Sequence, residues 1–141
     1  MAMQLSEFRF HDTSDYPIVC LSGRELPAGT GPQWAAEMDA LIARKRPFVL
    51  VFLDEQEHET HEDKKVRTVW IKKNRRDLAS LCRGFVLIEP DRATRVLKRA
   101  QGAVMAAAFG LRLKFTADLE EAEQLAKQLL AGEDAPDADG A

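Results

Sequence analysis

The densest run of chemistry-bearing side chains is DEQEHETHED, from Asp54 to Asp63. His58 and His61 stand three apart, a spacing that on a helix turns both rings the same way, and Asp54 could add a third metal ligand. This is not the HExxH spacing of zinc proteases, whose histidines stand four apart. With Glu55, Glu57, Glu59 and Glu62 packed around the histidines, the simpler expectation is a solvated acidic loop, with no metal and no cofactor. So many carboxylates also repel phosphate. The glycines of SGRELPAGTG match neither Walker nor dinucleotide spacing, so a nucleotide pocket is not expected. Ser6, Ser14, Ser22 and Ser80 lack a nucleophile-elbow context. Cys20 and Cys82 lie in apolar runs with no histidine nearby, and read as buried, unreactive thiols rather than a disulfide. No catalytic residue is expected, and the chain reads as a binding domain rather than an enzyme.

Cations cluster as strongly as acids do. Lys64, Lys65, Arg67, Lys72, Lys73, Arg75 and Arg76 crowd one stretch, and Arg92, Arg95, Lys98 and Arg99 another. The formal net charge is −3, so no global field points to nucleic acid or an anionic membrane. Trp70 alone interleaves the first cluster, too little aromatic surface for a single-strand stacking platform. Trp34 and Trp70 are expected in or near the core, either becoming an interface anchor if exposed.

These residues need a scaffold, and the apolar pattern supplies one. EFRFH, residues 7–11, alternates as a half-exposed edge strand does, and PIVCLS, residues 17–22, reads as a second strand joined to it by a hairpin. Thr30 or Gly31 caps a helix with Pro32 in its first turn, and Trp34, Ala35, Met38, Leu41 and Ile42 form its apolar face. FVLVFL, residues 48–53, and FVLI, residues 85–88, are continuous apolar runs of the kind found in central parallel strands covered on both faces. Leu111, Leu113 and Phe115 alternate with cations in a wetter strand. Helices fill the gaps over about 62–81, 92–109 and 117–131. In the second of these, Val96, Leu97, Ala100, Val104, Ala107 and Ala108 read as a small-residue face for close packing on the sheet. In the last, Leu119, Ala122, Leu125, Ala126 and Leu129 do the same, with Gly132 as the stop.

The expected fold is therefore α/β, one domain over residues 1–132, with a mixed but mostly parallel sheet of about five strands and four helices in the order ββαβαβαβα. Residues 133–141, EDAPDADGA, are expected to form a disordered acidic tail. The N-terminus shows no secretory pattern and no apolar run approaches the ~20 residues of a membrane span, so the expected location is cytoplasmic.

This element order, the strand VLVFLD ending at Asp54 and the pattern RTVWIKKNR over 67–75 resemble the STAS domain, the anti-anti-sigma fold typified by SpoIIAA, and its SpoIIAA-like relatives. The resemblance covers about residues 5–131 and implies a regulatory protein-interaction module. Phosphorylated members carry a serine after the aspartate-ending strand, in an Asp-Ser-Ser-Gly context. Here the stretch DEQEHETHEDKK has neither serine nor glycine. Thr60 falls near that position, but with Asp63 three residues on it reads as a helix N-cap.

Ligands of open α/β sheets bind at the carboxyl ends of the strands. The expected docking edge is the loop 54–63 and the helix after it, with Asp54, Glu55, Glu59, Thr60, Arg67 and Trp70 contacting a protein partner. A small-ligand or lipid site and a homodimer remain open; nucleic acid and membrane are not expected partners.

Overall fold

The computed structural model describes residues 3–55 and 58–133. After a 3₁₀ turn at Leu5–Glu7 the elements run β1 (His11–Asp12), β2 (Ile18–Ser22), α1 (Gly31–Ala43), β3 (Phe48–Asp54), α2 (His61–Lys73), α3 (Arg75–Leu81), β4 (Cys82–Ile88), α4 (Arg92–Phe109), β5 (Leu113–Thr116) and α5 (Leu119–Leu130). The five strands form one sheet in sequential order, with β1 antiparallel to β2 and every other pair parallel. The α/β class and the mixed, mostly parallel sheet are as expected. The acidic tail expected at 133–141 lies, apart from Glu133, outside the described residues, as do Gln56 and Glu57.

Stepping always in one direction, right-handed crossovers stack their helices on the same face of the sheet. Trp34, Met38 and Leu41 of α1, Trp70 of α2 and Leu78 of α3 pack there against Val19, Leu21, Phe48, Leu50 and Phe85. Among the described residues, α5 alone covers the other face, setting Ala122, Leu125, Ala126 and Leu129 on Ile18, Val49, Val51 and Val86. Successive residues of β3 therefore feed opposite cores, which is why its sequence is continuously apolar rather than alternating. α5 sits very close to β4: a Cβ on Gly84 would fall 2.8 Å from Leu129 Cδ1.

Five expectations need correction. Residues 7–11 are not a strand, because the backbone N–H groups of Arg9, Phe10 and His11 all donate to the Glu37 carboxylate of α1. Only His11 and Asp12 join the sheet. The helix expected over 62–81 is two helices, making five α-helices among the described residues. The N–H of Asn74 and its Nδ2 both donate to the Trp70 carbonyl, and this side chain-to-backbone competition ends α2 and redirects the chain. The strand expected from Leu111 begins at Leu113, because Gly110, at φ 68°, ends α4 and the Leu111 N–H turns back to the Ala106 carbonyl.

The largest departure concerns α4. The face carrying Val96, Leu97, Ala100, Val104, Ala107 and Ala108 points to solvent, not to the sheet. The inward face carries Arg95, whose guanidinium donates to the carbonyls of Glu89 and Pro90, and Lys98, paired with Glu89 and Glu55. Next along this face, Gly102 lies against Leu113. Leu119, expected in the apolar face of α5, is also exposed. Among the described residues, no helix is long and apolar enough to cross a membrane.

Candidate functional site at the strand carboxyl edge

β3 and β4 end beside each other, and the loops leaving them meet the start of α1, α2 and α4. The acids of this rim are engaged one by one. Asp54, the last residue of β3, accepts Ser22 Oγ at 3.0 Å and the Arg24 N–H at 2.6 Å, which binds the exit of β2 to the exit of β3. Glu55 and Glu89 share the Lys98 ammonium, with Glu89 Oε1 at 2.7 Å from Nζ. Burial pulls the Lys98 pKa down, but hydrogen bonds to Glu55 and Glu89 outweigh it and raise the value above that of an ordinary lysine. In turn the Lys98 hydrogen bond, helped by the Asp91 N–H, holds the Glu89 carboxyl below the usual range. The acidic loop after β3 is thus strapped to basic α4.

Asp63 is the centre of the rim. As the third residue of α2 it forms a reciprocal capping box with Thr60: the Asp63 N–H donates to Thr60 Oγ1 at 3.0 Å, and the Thr60 N–H donates to Asp63 Oδ2 at 3.2 Å. The same carboxylate accepts the Gly29 and Gly31 N–H groups at 2.9 and 3.0 Å, so one acid caps α2 and also α1. Burial alone would raise its pKa, but the amides of Gly29, Gly31 and Thr60 stabilise the anion and hold it low. Gly31 suits this approach, since a Cβ there would stand 3.2 Å from the Asp63 Cα and the Val66 Cβ and would oblige both to give way. Thr60 Oγ1 is engaged as the N-cap that its spacing to Asp63 predicts.

Glu59 and Arg67 form a half-exposed ion pair at 3.0 Å one turn further along. They border a cleft of about 20 Å³, with Leu26, Pro27 and Trp34 on its other side. That volume suits about one water molecule. Behind it the two tryptophans meet edge to face, centroids 5.4 Å apart at 82°. Trp70 is buried and its Nε1 donates to Asp39 at 2.8 Å, so it supports the rim from the α1–α2 interface and does not itself face outward.

His58 and His61 are exposed, and among the described residues no three histidine, cysteine, aspartate or glutamate side chains gather as a metal site. A second, open trough of about 480 Å³ lies beside β1, over Asp12, Ser14, Cys20, Ser22 and Leu53. Burial pushes the Cys20 thiol up to about 11, aided by Asp12, Asp15 and Glu123, and burial pushes Cys82 up to about 12. Neither is a nucleophile near neutral pH.

Two organising residues were missed in the sequence. Glu37 lies in the apolar face of α1, next to Met38 and between Trp34 and Leu41; a charge at that position is itself a signal of a buried acceptor. Lys98 looked like one more solvated cation. No family model, curated protein or solved structure matches the chain.

Proposed function

We propose that the protein is a non-enzymatic, STAS-like interaction module. Its docking edge is the acidic loop 54–63 with the first turns of α2, and its partner is another protein. The observation that carries this reading is that the carboxylates at the edge serve as structural acceptors: Asp54 for Ser22 and Arg24, Asp63 for three backbone amides, Glu55 and Glu89 for Lys98. Carboxylates held in place by their own donors are poorly placed to turn towards a substrate proton, whereas a rim so held is a rigid charged surface that a partner can read without ordering it. Glu55, Glu59, Thr60 and Arg67 form the surface a partner would touch, while Asp54 and Trp70 hold it in shape.

The test is an affinity capture quantified against a control variant. Glu55→Lys combined with Glu59→Lys and Arg67→Glu reverses the rim, while Lys127→Glu on α5 alters charge far from it. Partners retained by wild type and by the control, and lost by the triple variant, are the expected result. An unchanged partner set from the triple variant would disprove the docking edge.

A second reading, small-ligand binding, is favoured by the trough beside β1, whose volume falls in the range of small-molecule sites. A co-purifying mass in native mass spectrometry, displaced by Ser22→Trp, would support it over the first.

A further inference from the structure

The outward face of α4 is built like the seam of a helix pair. Ala93, Val96, Ala100, Ala103 and Ala107 recur at alternating steps of three and four, the spacing by which one helix presents a continuous line to another. Leu97, Val104 and Ala108 flank this line on one side. All eight residues are exposed, with Val96, Leu97 and Val104 at 49, 57 and 76%. At 3.6 residues per turn they occupy an arc of about 140° without a single polar side chain. We propose that this face is covered by α4 of a second copy of the chain, packed antiparallel about a two-fold axis at Ala100.

Three observations select that occupant. The first is the repeat, which matches a helix rather than a strand or a small molecule, and whose alanines let two backbones approach to about 8 Å. The second is charge. Arg92, Arg95, Lys98 and Arg99 all lie in the first half of α4, and residues 101–109 carry no charge. Antiparallel packing sets Arg92 beside the partner's carboxyl end, where free carbonyls are negative; parallel packing would bring like charges together. The third is area. An 18-residue helix is about 27 Å long, so its outward half presents ~500 Å², and two copies bury ~1,000 Å², where specific interfaces begin. A membrane surface fits less well, because Lys98 is bound to Glu55 and Glu89, and Arg95 to backbone carbonyls, leaving these cations turned inward. Residues 134–141, made only of Asp, Ala, Pro and Gly, have no large apolar group to cover Val96, Leu97 or Val104.

Sedimentation equilibrium of the full chain at ~5–200 µM should give a mass rising from 15.8 kDa towards twice that value, as expected for an interface of this modest size. Ala100→Glu should weaken association at least ~100-fold, because two carboxylates would face each other at the axis. Ala100 is exposed, so the circular dichroism spectrum, and the Tm measured at concentrations where wild type is monomeric, should stay unchanged. In a Cys20→Ser background, Ala100→Cys should oxidise to a covalent dimer. Ala93→Cys should cross-link only when combined with Ala107→Cys. A monomer at every concentration, or an Ala100→Glu dimer as tight as wild type, overturns the proposal. So does cross-linking of Ala93→Cys alone, which would mean a parallel pair. Flotation of a monomer with phosphatidylserine vesicles, or capture of a foreign protein by a monomeric α4 face, also overturns it.

Discussion

Replacing Glu37 should unfasten the N-terminal segment from the rest of the molecule. Its carboxylate is fully buried and accepts the N–H groups of Arg9 at 2.9 Å, Phe10 at 3.2 Å and His11 at 2.9 Å, with His11 Nδ1 and Gln33 Nε2 both at 2.8 Å. Burial by itself would raise the Glu37 pKa, but the bonds from the His11 and Gln33 side chains and from the backbone bring it down to about 2 from an ordinary 4.5. Each unit is worth about 1.4 kcal/mol, so ionised Glu37 stabilises the fold by about 3 kcal/mol near neutral pH. The folded carboxyl titrates below the unfolded one, so this contribution is complete above about pH 4.5 and is lost as the pH falls towards 2. Glu37→Gln turns an amide donor towards groups that are themselves donors, and should cost about 3 kcal/mol at pH 7. Urea titrations at pH 7 and pH 3, followed by tryptophan fluorescence, measure both effects. A loss below about 1 kcal/mol at pH 7 would refute the reasoning, as would a variant whose stability falls between pH 4.5 and 2 as steeply as that of wild type.

Asp63→Ala removes the acceptor shared by the starts of α1 and α2 and should cost about 2–4 kcal/mol, against about 1 kcal/mol for Thr60→Ala, both read from denaturant midpoints. Trp70→Phe keeps most of the ring packing but loses the bond to Asp39, which is exposed and can return to water; the cost should be about 1 kcal/mol, whereas Trp70→Ala should lose about 3–5 kcal/mol in the same assay. With the Cys20 thiol raised to about 11, alkylation by iodoacetamide at pH 7.5 should run roughly 10–100-fold slower than that of a free thiol and accelerate on unfolding in urea, as followed by mass spectrometry.

Element identity was legible where local signals agree with one another. FVLVFL and FVLI read as central strands, because short continuous runs of β-formers suit a layer covered on both faces. Thr60 and Asp63 announced the start of α2 by spacing alone, since a capping box is made within four consecutive residues. The acidic edge was legible too, but its internal wiring was not. Asp54 finds Ser22, and Asp63 finds Gly29 and Gly31, across more than thirty residues of chain, and only the parallel sheet brings those loops together.

Three features belonged to tertiary structure. EFRFH has the alternation of a strand, but Glu37 competes for its amides, and a buried carboxylate is a stronger acceptor than a strand edge. The break at Asn74 is invisible to an apolar pattern that continues through it; the amide side chain, bonded back to Trp70, ends α2. In α4 the apolar periodicity predicted the helix and its stripe but assigned the stripe to the wrong side. Periodicity says that one face shuns water, not which neighbour covers it. Here Arg95 and Lys98 bind acceptors at the strand ends, and Gly102 closes on Leu113. That anchoring turns the apolar stripe outward.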